Sequence, residues 1–124
     1  MPIEVIKQSD CHIVNYKSVF DLDAFSYGYS AIEDIVLRIK SKRLICDLTS
    51  VQDCTISAEQ FEEIRDAMLR LFVKAPKGFQ VAVAVRCEQL TTNVKKCHDG
   101  IRDAGLLHKT FVAKSLDEAI ALLN

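Results

Sequence analysis

Arg43 to Ser57 reads RLICDLTSVQDCTIS, and this stretch decides how the rest of the chain is read. Leu44, Ile45, Cys46 and Leu48 form an apolar run of strand length, interrupted only near its end by Asp47. Polar, turn-forming residues follow. Ser57-Ala-Glu-Gln60 then pairs a Ser with a Gln three residues on, the pattern of a capping box at the start of a helix. The segment therefore predicts a buried strand over 43–48, a loop, and a helix opening at Ser57. In open α/β sheets, the crevice outside the carboxyl end of an inner strand is where ligands and partners usually bind.

Working outward, Phe61, Ile64, Met68, Leu71 and Phe72 continue that helix as an apolar stripe to about Val73, and Pro76 with Gly78 ends it. Phe79 to Val85 reads as a strand with a bulky face (Phe79, Val81, Val83, Val85) and a small, partly polar face (Gln80, Ala82, Ala84, Arg86). Thr91 or Thr92 is placed to cap a third helix with an inner face of Val94, Cys97, Ile101 and Ala104, stopped by Gly105. Leu107 to Ala113 is a last strand. Ser115-Leu-Asp-Glu118 is a second capping box, and Leu116, Ala119, Ile120 and Leu123 carry a terminal helix.

Toward the N-terminus, Ile3 to Lys7 and His12 to Tyr16 predict a β-hairpin turning at Ser9-Asp10. Leu22, Phe25, Tyr29, Ile32, Val36 and Ile39 recur at helical spacing, predicting an amphipathic helix to about Lys40, with Gly28 a weak point costing on the order of 1 kcal/mol against Ala. Strands thus alternate with helices, which implies an α/β single domain over 1–124: a mixed, mostly parallel sheet of about five strands with an antiparallel N-terminal hairpin and about four helices. Right-handed crossovers between sequential strands would place the helices mainly on one face. The other face is then expected to be open to a neighbour or a second copy in a homodimer.

A chain of 124 residues with 49% apolar and 27% charged residues suits one soluble domain with its own core. Its net charge is −1, and the longest basic pieces, Lys40 to Arg43 and Lys95-Lys96, read as solvated helix ends, so no nucleic-acid partner is expected. No apolar run approaches the roughly 18 residues that span a bilayer, so no membrane insertion is expected. The five cysteines contain no CxxC pair and no apolar leader precedes them, which points to free thiols in a reducing cytoplasm. Cys97-His98 beside Cys87 lacks zinc-site spacing, the four glycines never cluster into a phosphate loop, and His12, His98 and His108 have no nucleophile in motif context. No metal, cofactor or catalytic residue is therefore expected.

The run I45-C-D-L-T-S-V-Q-D-C-T-I-S57 is similar in layout to the strand, loop and helix of STAS domains, the family of bacterial anti-sigma-factor antagonists and of the cytoplasmic tails of sulfate transporters. The strand V81-A-V-A-V85, the helix closing at G105-L-L and the terminal S115-L-D-E-A-I-A-L-L123 also fit, so the resemblance spans about residues 43–124. It implies a non-enzymatic regulatory domain that meets a protein partner, of anti-sigma or other regulatory type, through the loop and helix start at 52–60. Ser57 falls where those antagonists carry the phosphorylated serine or threonine, and Asp47 at the acidic residue ending the central strand. Thr55 stands where the family's Asp is expected, Ile56 where its first Ser is, and Ala58 where its Gly is. The chain thus resembles more closely the STAS-like proteins that lack the phosphorylation motif and are related in shape to the lipid-transfer fold.

Ser57, Thr55, Asp47, Asp53 and Cys54 are the candidate partner or phosphoacceptor residues. Each has a plainer role beside it. The spacing to Gln60 explains Ser57 as a helix cap alone, and an Asp at a strand end usually bonds nearby loop amides. Cys54 precedes a helix N-terminus, where thiolates are stabilised, whereas Cys46 and Cys97 sit at buried apolar positions. A small apolar or lipid-like ligand between the first helix and the sheet, near Phe25, Tyr27 and Tyr29, is the alternative, against a plain core role for those rings. That alternative predicts an apolar pocket of about 300 Å³ or more with a few polar groups aimed into it.

Overall fold

The computed structural model describes residues 3–8, 10–105 and 109–123. β1 (Ile3–Gln8) and β2 (Cys11–Phe20) form the antiparallel hairpin, and β3 (Arg43–Cys54), β4 (Gln80–Val85) and β5 (Lys109–Ala113) follow in parallel, giving one sheet of order β1-β2-β3-β4-β5. α1 (Leu22–Glu33), α2 (Ala58–Phe72), α3 (Glu88–Asp103) and α4 (Leu116–Leu122) connect or follow the strands. The expected α/β architecture and strand direction hold. Ser9 of the predicted turn, and Leu107 and His108 of the predicted last strand, lie outside the described residues.

β3 differs most from its expected bounds. Between Arg43 and Leu48 it has two strand neighbours, β2 and β4. Beyond Leu48 it continues to Cys54 against β2 alone, as a two-stranded ribbon. Register shifts at Asn15/Lys17 and Ser18/Val19, with Ser18 at φ 64, break the regular alternation there. Buried Leu48, Val51 and Cys54 are three apart, so the ribbon shows neither strand nor helix periodicity in its sequence.

Helix ends are set by local chemistry. Asp21 caps α1 by accepting from Ala24 N at 2.7 Å. α1 runs on as a π-helical segment, Asp34–Ile39, which ends at Lys40 in a left-handed conformation. Gly28 is accounted for by its packing: it is buried, and any Cβ there would overlap the ring of Tyr16. α3 begins a turn earlier than predicted, with Cys87 as N-cap. The Thr91 hydroxyl donates back to the Cys87 carbonyl at 2.8 Å instead of capping, and Ala104 is exposed rather than on the inner face. Gly105, at φ 73, follows it in the left-handed conformation expected of a helix stop. At α4, Ser115 accepts from Glu118 N at 3.1 Å, but Glu118 reaches back to Lys114 N and not to Ser115.

α1, α2 and α3 cover the bulky face of the sheet, where Val14, Leu44, Phe61, Phe72, Phe79 and Leu90 form the main core. The small face is not open as expected. α4 lies on it, packing Ala119, Leu123, Leu116 and Ile120 over Ile13, Ile45, Ala82 and Ala84, all of which are buried. Alanine at 82 and 84 makes room for that close approach.

Candidate functional site

The expected loop is short. Cys54 ends β3, Ser57 caps α2, and only Thr55 and Ile56 lie between them. Thr55 N donates to Phe20 O at 3.2 Å, continuing the β2 pairing, and Ile56 is buried, so Thr55 and Ser57 project on either side of an anchored residue. Both halves of the capping box form: Gln60 N donates to Ser57 Oγ at 3.2 Å, and Ser57 N donates to Gln60 Oε1 at 2.9 Å. Ser57 stays exposed while it caps, so the plainer role is real and leaves the residue at the surface.

Asp53 is exposed and accepts from Cys54 N at 2.9 Å. Cys54 turns the other way. Its thiol lies in the core 4.0 Å from the Ile56 carbonyl, and burial pushes its pKa up, so the thiolate stabilisation expected of a site ahead of a helix N-terminus is overridden by desolvation. Asp47 does not end its strand; it sits within β3 and is only 3% exposed. Its Oδ1 accepts from Thr49 N at 3.0 Å and Thr49 Oγ1 at 2.6 Å, and its Oδ2 accepts from Asn15 Nδ2 at 2.9 Å. The carboxylate joins β2 to β3 and lies on the α4 side of the sheet, apart from Ser57. Sequence reasoning missed Asn15, and nothing in the sequence marks a partner 32 residues away.

Five residues were candidates and the structure brings three to one exposed tip: Asp53, Thr55 and Ser57. Several carboxylates lie near that tip, with Arg65 and Lys96 beside Ala58 and Glu62 on one flank. Glu59, Glu62 and Glu63 are exposed on the first turns of α2, and the pairing of Phe20 with Cys54 brings Asp21 and Asp23 of α1 to the same end of the sheet. Helix N-termini favour negative side chains, which accounts for Asp23 and Glu59 in the first turns; Glu62 and Glu63 lie a turn further on and extend the acidic rim. Among the described residues, no group of three or more His, Cys, Asp or Glu is arranged to hold a metal ion, and no helix is long and apolar enough to cross a membrane.

The alternative site is a cavity of about 100 Å³ between the sheet and α1, α2 and α3, lined by Tyr16, Phe25, Leu48, Phe61, Val83 and Ile101 among others. It is smaller than the ligand-sized pocket expected of a binder. Phe25 lines it, but Tyr29 stacks on Phe25 at 5.8 Å without reaching it, and Tyr27 is 52% exposed. Of its polar lining groups, His98 Nε2 is held by the Thr110 carbonyl at 2.9 Å, and Cys97 Sγ by the Phe61 carbonyl at 3.4 Å.

This arrangement is a STAS-like fold, and comparison with solved structures agrees. The chain superposes on an anti-sigma factor antagonist from Mycobacterium paratuberculosis with a TM-score of 0.66 and 15% identity, over 98% of this chain and 92% of that one. It superposes on an uncharacterized protein of the DUF3478 family with a SpoIIAA-like fold, from Shewanella loihica PV-4, with a TM-score of 0.55 and 13% identity, again over 98% and 92%. No protein-family model and no curated protein sequence matches the chain. The likeness therefore lies in the fold, which is a divergent form of the STAS-like architecture.

Proposed function

We propose that this chain is a non-enzymatic regulatory domain of bacterial signalling that binds a protein partner through residues 52–60. The observation that carries this reading is the tip itself. It presents two exposed hydroxyl residues, Thr55 and Ser57, on a firmly anchored helix start beside a rim of carboxylates. A partner with a basic surface fits that rim, and charge complementarity of this kind gives specificity and fast association. The likeness to an anti-sigma factor antagonist supports a regulatory protein as partner, and the proposed setting is the cytoplasm. Ser57 is the candidate switch: a phosphate on its oxygen sits at a helix N-terminus, which tolerates negative charge, while adding repulsion against Asp53 and Glu59.

The test is native mass spectrometry of the protein purified from its own host, followed by intact mass after denaturation. The expected result is a complex with a second protein that is lost in Glu59→Lys/Glu63→Lys and kept in Lys40→Gln/Lys42→Gln, at the opposite end of the sheet. A mass addition of one phosphate, absent in Ser57→Ala, would establish the switch. A small apolar molecule that leaves only on denaturation, with no protein partner, would overturn the reading in favour of a ligand-binding domain.

A further inference from the structure

The end of the sheet opposite the acidic tip carries a different feature. Lys40 to Arg43 does not simply trail off a helix into solvent. The left-handed turn at Lys40 folds this segment back, and with the β1–β2 hairpin it encloses an open bowl of about 440 Å³. Lys7 reaches the bowl from β1, Lys40 and Lys42 from the connection, and Arg43 from the start of β3. One carboxylate, Asp10, faces these four cations, and it lies 3.8 Å from Arg43 while itself 89% exposed in its side chain. The bowl is thus strongly positive on a chain whose net charge is −1.

Its floor is built. His12 and Ser41 line the bowl and are each 8% exposed. Ser41 Oγ lies 3.1 Å from the Arg43 carbonyl, to which it can donate its one hydrogen. With that hydrogen on the carbonyl, the 2.9 Å contact between His12 Nδ1 and Ser41 Oγ has the imidazole donating from Nδ1. Among the described residues His12 makes no hydrogen bond through Nε2. That nitrogen accepts when the ring is neutral and donates when it is protonated. Lys7 stands directly opposite His12 in the β1–β2 register, and both burial and Lys7 hold the ring's pKa below its usual value.

We propose that this bowl binds a phosphate group, held by Lys7, Lys40, Lys42 and Arg43, with His12 as a donor that becomes available when the anion arrives. A dianion beside the ring opposes the effect of Lys7, so binding draws a proton onto His12. The other charged groups facing it across the bowl are Asp10, Lys40, Lys42 and Arg43. The same chemistry is presented by a soluble phosphomonoester and by a phosphate headgroup in a bilayer. This site is separate from the partner-binding tip, so either can fail without the other.

The test is a ¹⁵N NMR titration of the full chain with inorganic phosphate and with glycerol phosphate, alongside flotation with phosphatidylcholine vesicles with and without phosphatidic acid. The expected result is perturbation centred on Lys7, His12 and residues 40–43. Lys40→Gln/Lys42→Gln should weaken binding by about tenfold or more, since two charge-assisted contacts are lost. Lys95→Gln/Lys96→Gln, with the same change in net charge, should leave it unaltered. The His12 titration midpoint should rise in saturating phosphate. Binding of both soluble probes identifies a free phosphate group as the ligand, and binding only to vesicles with phosphatidic acid identifies a headgroup, provided Lys40→Gln/Lys42→Gln abolishes it. Absence of binding to every probe, equal weakening in the control variant, or an unmoved His12 midpoint overturns the proposal.

Discussion

Replacing Gly28 with Ala sets two effects of opposite sign against each other. Gly28 lies inside α1, where Ala is intrinsically better by about 1 kcal/mol. The added Cβ would overlap Tyr16 Oη and Cζ and lie 2.5 Å from Cε2, so the ring must move. Tyr16 is 3% exposed and packs edge-to-face on Phe20 at 5.4 Å. Overpacking a filled core costs about 1–3 kcal/mol, and loosening an aromatic pair adds about 0.5–1.5 kcal/mol. Steric cost wins, and Gly28→Ala should destabilise by about 1–3 kcal/mol. For 124 residues this lowers the melting temperature by about 4 °C for each kcal/mol, and urea unfolding should show a lower midpoint at unchanged slope. In a Tyr16→Leu background the ring is gone and Gly28→Ala should become neutral or stabilising. An unchanged or raised midpoint in the single variant, or the same loss in both backgrounds, would refute the contact as the reason for glycine.

Further expectations concern the tip, the β2–β3 link and the core thiols. Ser57→Ala removes a complete capping box and should cost about 1 kcal/mol by urea unfolding, whereas Ser57→Asp keeps an acceptor and should be near neutral. Asp47→Ala strands the Asn15 amide and the Thr49 hydroxyl and should cost about 1–3 kcal/mol, the Asn15 part of it recovered when Asn15→Ala is added; full additivity of the two losses would refute the link. Burial raises the Cys46 thiol from its ordinary value of 9.0 to about 12. Its contribution to stability is therefore present below about pH 9 and is lost as pH rises from there toward 12, at up to about 1.4 kcal/mol per unit. Cys46→Ala should flatten that part of the pH profile, and an identical slope in the variant would exclude Cys46 as its source.

The elements that declared themselves in the sequence are those whose ends are fixed by neighbours in the chain. Ser57 and Gln60 announce α2, and both bonds of their box form as spaced. The alternation in V81-A-V-A-V85 identifies β4 and its two faces, and the small face proved to be the seat of α4. What stayed hidden depends on tertiary pairing. The extension of β3 to Cys54 rests on β2 residues more than thirty positions earlier, and its irregular register erases the period that would reveal it. Thr91 and Thr92 misdirected the start of α3 because a threonine can cap a helix or bond back to a carbonyl within it, and composition does not distinguish the two. The site divided in the same way: Ser57 was legible as a cap, while the inward turn of Cys54 and the bond from Asn15 to Asp47 depended on packing across strands.

The ribbon of β2 and β3 beyond Leu48 has a mechanical consequence. Six residues of extended chain separate Leu48 from the end of β3, an arm of about 20 Å. With β4 absent beside it, leverage is concentrated where the sheet narrows from three strands to two. A tilt of a few degrees at that point moves the far end by about an ångström. Phe20 and Phe61 stack at 6.2 Å, so the arm is geared to the first turns of α2. Force applied at Thr55 or Ser57 is thus transmitted to the aromatic layer under the helices without breaking a central strand pair.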